Sequence, residues 1–212
     1  MELVIKYQMI YNKCYTRRNF MPPRVKITKD DIINAALLLV QRSGEEAINA
    51  RSVASFLGCS TQPVFSNFDS MEELHTEVIR AAYGVYLDFI KRELEDGKYP
   101  PYKSYGMAYI RFAREEKELF KLLFMCNREG GGLVPTEDFA ASVEMIMKAN
   151  GISKERAELM HLEMWTCVHG IGTMLATSFL SLDEELIGNM LTDVYQGIRV
   201  RQLTEENKNE RN

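Results

Sequence analysis

Three histidines, His75, His161 and His169, are the first residues to weigh for chemistry, and two of them flank Glu163 in a pattern that invites a metal ion. Ligands on one helix must share a face, and eight residues drift roughly 80° around a helix, so His161 and His169 diverge. Neither H-x-x-x-H nor H-E-x-x-H occurs, and there is no G-x-S-x-G nucleophile turn. Gly130-Gly131-Gly132 lacks the preceding strand and the lysine that a phosphate-cradling loop requires. Cys14, Cys59, Cys126 and Cys167 are scattered without a C-x-x-C, which fits a reducing cytoplasm. These residues supply no catalytic set, no metal set and no cofactor site, and the expectation is a protein that is not an enzyme. What remains is hydrogen-bonding capacity. Ser60, Thr61, Gln62, Ser66 and Asn67 cluster around one turn and carry the donors and acceptors that meet base edges and phosphates.

The stretch Asn49 to Phe68 must position that cluster. Asn49 suits the N-cap of a short helix, its side-chain oxygen accepting a backbone N–H of the opening turn. Gly58 follows Leu57 where the helix stops, and Ser60 is the expected cap of a second helix, with Pro63 in its first turn. Ala54 is small where two steeply crossed helices come close, and Val53, Leu57 and Val64 complete a buried face. An ordinary αα-corner would explain any one of these positions. Together, with the polar residues left outside, they fit a helix-turn-helix whose second helix reads the DNA major groove.

The flanks extend the pattern. Ile32-Ile33-x-Ala35-Ala36 and Gly44, then Ser52-Val53-Ala54, Gly58-Cys59-Ser60, Val64-Phe65-x-Asn67-Phe68 and Glu72-Glu73-Leu74 resemble the DNA-binding domain of TetR-type bacterial repressors. The match covers Thr28 to Leu74, about a quarter of the chain. It departs from the family at three positions. Phe65 replaces a tyrosine whose hydroxyl meets phosphate, Asn67 a histidine, and Met71 a phosphate-binding lysine. The resemblance implies a homodimer on a palindromic double-stranded DNA operator. By it, Thr61 and Gln62 reach base edges, while Arg51, Ser52, Ser60 and Asn67 meet phosphate and Phe65 completes the reading helix. It further implies an apolar or amphipathic small-molecule effector. Trp165-x-x-x-His169-Gly170 is similar to the Trp-His-Gly signature of one C-terminal domain class on such regulators.

Charge is uneven. Of the net −4, residues 1–70 contribute +3 (nine Lys/Arg, six Asp/Glu) and residues 71–212 contribute −7 (seventeen against twenty-four). An acidic body turns the basic end toward DNA. The basic patch is modest, and weakened DNA binding keeps an alternative open: a helical interaction module, or an activator. Residues 1–20 read poorly as a signal peptide, Met21 offers another start, and no apolar run is long enough to cross a membrane.

The rest of the chain reads as helix throughout, so the fold class expected is all-α: an N-terminal three-helix helix-turn-helix domain and a larger helical bundle for ligand binding and dimerisation. Residues 1–23 are taken as an extension, 24–70 as the DNA-binding domain, 71–206 as the body and 207–212 as a tail. Thr28 with Asp31 and Ser70 with Glu73 are capping boxes. The second opens a helix running to about Asp96, before Gly97 and Pro100-Pro101. Further helices are expected over Tyr105–Arg114, Glu116–Met125, Thr136–Ala149, Ser153–Leu180 and Asp183–Gln202. Phe120, Phe124, Met164, Trp165 and His169 are the expected effector-pocket wall. Small Gly172 and Ala176, with Ile187, Leu191, Val194 and Ile198, are the expected dimer interface, an intersubunit four-helix bundle.

Overall fold

Local capping decides where the chain folds into helix, and most of those signals act as the sequence implies. The structure is a computed structural model that describes residues 27–125 and 136–209. The extension 1–23, Cys14, Cys126, the Gly130-Gly131-Gly132 segment and residues 210–212 of the tail lie outside the described residues. Thr28 and Asp31 form a reciprocal capping box at the start of α1 (Lys29–Ser43), which ends where Gly44 turns to φ 80°. One 3-10 turn (Glu45–Ala47) leads to α2 (Ala50–Leu57) and α3 (Gln62–Asn67). The 26-residue α4 (Met71–Asp96) is capped by the Ser70 hydroxyl on the Glu73 N–H at 3.1 Å. Glu73 does not close the box on Ser70. Its carboxylate accepts instead from the Asp69 N–H at 2.8 Å and pairs with Lys29 at 2.6 Å.

Gly97 closes α4 in the left-handed conformation. Pro101 then occupies the first position of α5 (Pro101–Glu115), where a missing N–H costs nothing. There follow α6 (Lys117–Phe124), α7 (Thr136–Asn150), α8 (Lys154–Ala176) and α9 (Glu184–Asn209). The last helix outruns its expected end at Gln202 and takes in residues 207–209, which the sequence assigns to the tail. Among the described residues every regular element is helical, and the fold is all-α. No helix among them is long and apolar enough to cross a membrane.

α4 packs along α5, α5 along α8, and α8 carries both α7 and α9. α1 rests on α2, α4 and α6. One apolar core runs through both ends, from Ile32, Val53 and Val64 through Leu74 and Val78 to Phe112, Phe120 and Ile187. The boundary expected at residue 70 is therefore not a break in the core. Phe112 and Phe120 are fully buried, each contributing about 1.5–3 kcal/mol through removal of its ring from water. A smaller core of Val143, Ile146, Ile152, Ala157 and Met160 joins α7 to α8. Glu93 is a buried carboxylate on α4, paired with Arg111 of α5 at 2.9 Å. Burial pushes its pKa above the usual carboxylate range, and Arg111 only partly offsets this.

Candidate nucleic-acid interface and ligand site

α2 and α3 are held by a few buried side chains. Val53 and Val64 are fully buried and Ala54 nearly so, so the helices meet over these three residues. The Asn49 side chain accepts from the Ser52 N–H at 2.9 Å. Gly58 adopts φ 65°, and the Cys59 N–H bonds the Ala54 carbonyl at 2.9 Å to close the turn. The expected cap at Ser60 is corrected. Thr61 is the N-cap of α3, its carbonyl accepting from Val64 and Phe65, and its side chain makes no capping bond. The hydroxyls of Ser60 and Thr61 are thus not consumed by capping.

Arg51, Ser60, Gln62, Phe65 and Ser66 are exposed, while Ser52, Thr61 and Asn67 are half-buried. Two outward groups are already engaged locally. The Asn67 amide donates to the Pro63 carbonyl and the Ser66 hydroxyl to the Gln62 carbonyl, both at 2.8 Å. One of the two Asn67 amide hydrogens is therefore taken. Phe65 is 60 % exposed. Without a hydroxyl it has nothing to offer phosphate, but its ring suits an apolar contact such as a thymine methyl.

The charge of this face is not visible when residues 1–70 are counted as one unit. Residues 27–70 hold three Lys/Arg and five Asp/Glu, a net of −2, whereas residues 1–26 hold six Lys/Arg and one Glu, a net of +5. Lys29 is bound to Glu73, which lowers the Glu73 pKa, and Arg42 lies over the Phe56 ring. The charges themselves are plain in the sequence; the boundary that makes them informative is not.

The expected effector wall is brought together only in part. Phe120 and Phe124 stand 5.3 Å apart by ring centroid, Phe120 faces His169 at 6.2 Å, and Trp165 stacks on His169 at 5.0 Å. Met164 is buried in the same core, but as the neighbour of Trp165 it points about 100° away around α8. Sequence reasoning misses Tyr109. Its hydroxyl meets His169 Nδ1 at 2.8 Å, and its ring lies 5.1 and 4.7 Å from those of Phe120 and Phe124. Tyr86 and Phe112 close the cluster from α4 and α5. These rings fill one another's space, so the region is a packed aromatic stack with Trp165, 45 % exposed, at its outer end. Two concavities of about 250 Å³ lie elsewhere, one lined by Arg114, Lys117 and Phe179, the other by Phe89, Arg92 and Arg111.

The residues expected at a dimer interface point inward. A Cβ on Gly172 would stand 3.0 Å from the Phe120 ring of the same chain. Ala176, Ile187 and Leu191 are at most 3 % exposed, and Val194 and Ile198 pack on the chain's own core. Gly172, Ala176, Ile187 and Leu191 are corrected to intrachain packing, while Val194 and Ile198 remain half-buried. The outward face of α8 carries Leu159, Leu162, Thr166 and Gly170, and that of α9 carries Leu186, Gly197 and Val200. Open space surrounds Gly170 and Gly197.

The two histidines near Glu163 are occupied separately. His161 Nδ1 meets the Tyr102 hydroxyl at 2.9 Å, and burial lowers its pKa. Glu163 pairs with Arg201 of α9. Burial also raises the thiol pKa of Cys59 and Cys167, which leaves both in the protonated, weakly nucleophilic form. Against known proteins, no family model matches the chain and no curated protein matches it. The likeness to TetR-type regulators rests on the residues of Thr28 to Leu74 and on the short Trp165-x-x-x-His169-Gly170 match.

Proposed function

We propose that this chain is a cytoplasmic, ligand-responsive transcriptional repressor of the TetR type, binding a palindromic operator as a homodimer. The observation that carries the reading is the pair α2 and α3. They are locked by Val53, Ala54 and Val64 around Gly58, with Thr61 and Gln62 at the outward start of the second helix. In this reading α3 of each subunit enters a major groove, the two grooves lying about 34–36 Å apart. Gln62 and Thr61 reach base edges, Ser60, Arg51 and Ser52 meet phosphate, and Phe65 lies against the groove. The partner subunit covers the outward faces of α8 and α9.

The switch follows from two links between reader and body. α4 spans roughly 39 Å at 1.5 Å per residue, from the reader to the far end of the bundle. At the N-cap of α6, Glu116 accepts from Gln41 of α1 at 2.8 Å. An effector that parts the aromatic stack of Phe120, Phe124 and His169 displaces α6 and tilts the two reading heads. A ligand shifts such an equilibrium only through different contacts with the two states, and the opened stack is the state it would favour.

The test is selection of genomic fragments on the purified protein at moderate salt. A two-fold symmetric site enriched over random DNA is expected, and no enrichment of any fragment would refute the repressor reading. The net −2 of residues 27–70 favours one second reading, an activator or helical interaction module with weakened DNA affinity. An interaction module returns no site from the same selection while a protein partner is retained, whereas an activator returns a site more weakly enriched.

A further inference from the structure

The concavity between the end of α5, the start of α6 and the α8–α9 connection has an unusual lining. Arg114 and Lys117 supply two cations, Ser178 and Ser181 two hydroxyls, and Leu175, Phe179 and Leu180 an apolar wall. Among the described residues neither cation is neutralised. Arg114 donates to the Leu182 carbonyl at 3.0 Å and Lys117 to the Ser178 hydroxyl at 2.8 Å, both uncharged acceptors. Three of the carboxylates nearby in the chain have partners of their own. Glu184 is held by Lys98 and Arg111, Glu118 by Lys121, and Glu116 by Gln41. No carboxylate lines the concavity itself, while Glu115 faces the second concavity.

The helix end shapes this lining. Ser178 has φ 58°, the left-handed residue of the cap that ends α8, where the Phe179 N–H bonds the Met174 carbonyl at 2.9 Å. It turns its hydroxyl to Lys117. Phe179 next to it is 76 % exposed and Leu180 41 %, an apolar lip beside the two charges.

We propose that this concavity is a binding site for a small organic oxyanion, a carboxylate or phosphate monoester carrying a short apolar or aromatic body. The oxyanion sits between the Arg114 guanidinium and the Lys117 ammonium, with the Ser178 and Ser181 hydroxyls completing its hydrogen bonds. The apolar body lies on Leu175 and Phe179. At about 250 Å³ the space is below the usual range for drug-sized ligands, which restricts the occupant to roughly a single ring or short chain. The site stands apart from the aromatic stack of Phe120 and His169, and its existence does not depend on whether the chain binds DNA.

Calorimetric titration of the full chain with benzoate, phenyl phosphate, inorganic phosphate and benzylamine tests this. One of the two organic anions is expected to bind at least tenfold more tightly than benzylamine, and phenyl phosphate more tightly than inorganic phosphate. Whichever of benzoate and phenyl phosphate is preferred identifies the headgroup. Lys117→Gln is expected to weaken that anion about tenfold. Ser178→Gly keeps the left-handed backbone and so isolates the hydroxyl, with a loss of severalfold. Benzylamine binding as tightly as the anions would overturn the proposal. So would Lys117→Gln and Arg114→Gln both leaving affinity unchanged in folded protein, or the absence of binding by either organic anion at millimolar concentration.

Discussion

Gly172 separates the packing seen here from the interface its sequence suggests, and a pair of glycine substitutions measures the difference. Gly84 lies exposed within α4 with nothing within 4 Å of an added Cβ. Gly84→Ala is therefore expected to stabilise the fold by about 1 kcal/mol, the helix-propensity difference alone. Gly172→Ala gains the same propensity, but its Cβ would lie 3.0 and 3.3 Å from two atoms of the Phe120 ring and 3.3 Å from Tyr109. That ring cannot yield freely, since Phe120 is fully buried with Tyr109, Phe124 and His169 against it. Overpacking of this kind costs about 1–3 kcal/mol. Gly172→Ala should then be neutral to about 2 kcal/mol destabilising, and should lie about 1–3 kcal/mol below Gly84→Ala, by the same two costs. Urea unfolding at one fixed protomer concentration reads this as a shift of midpoint at constant slope. Equal stabilisation by both substitutions would refute the argument, because it would mean that Gly172 does not face the Phe120 ring.

Leu162, 51 % exposed on α8, is expected to face the second subunit. Leu162→Arg should yield a folded monomer in sedimentation velocity, and a persisting dimer would move the interface elsewhere. Deleting residues 1–20 removes Lys6, Lys13, Arg17 and Arg18. If these side chains neutralise phosphates, the slope of log affinity against log salt becomes shallower by about 0.9 for each phosphate released by the deletion; an unchanged slope contradicts this. His161 is a half-buried partner of Tyr102 whose folded pKa lies below its unfolded one, so unfolding takes up a proton as the pH falls. Its contribution is fully present above about 6.5, the unfolded value, and declines below it. Wild type should therefore lose more stability between pH 7 and pH 5 than His161→Gln. Glu93 and Glu116, whose raised pKa values act in the opposite sense, are common to both proteins and cancel. Parallel pH profiles would place His161 outside the titration.

Helix starts are legible in the sequence because capping is local. Thr28, Asn49 and Ser70 each satisfy an N–H three residues on, and Gly44, Gly58 and Gly97 each take the positive φ that ends a helix. The cap of α3 falls one residue from its expected place because Ser60 and Thr61 are chemically equivalent candidates. Orientation is less legible. The apolar stripe of α9 shows that Ile187 and Leu191 are buried, but periodicity does not say whether the covering surface belongs to the same chain. A glycine such as Gly172 reports close approach without naming the neighbour, which proves to be Phe120, fifty-two residues earlier. The aromatic set of the expected pocket is visible by composition. Its closure is not, since whether rings surround a void depends on Tyr86 and Tyr109 arriving from two other helices. The Glu93–Arg111 pair is hidden for the same reason, each residue reading as a solvated charge on its own helix.

The central claim is that α3 reads DNA sequence through Gln62. Fluorescence anisotropy with a selected operator duplex and a shuffled duplex, at one stated salt concentration, tests it most directly. Wild type is expected to prefer the operator by at least ~10³-fold, and Gln62→Ala to lose about 1–3 kcal/mol on the operator while binding the shuffled duplex as before. Equal affinity of wild type for the two duplexes, or an equal loss on both in Gln62→Ala, would contradict it.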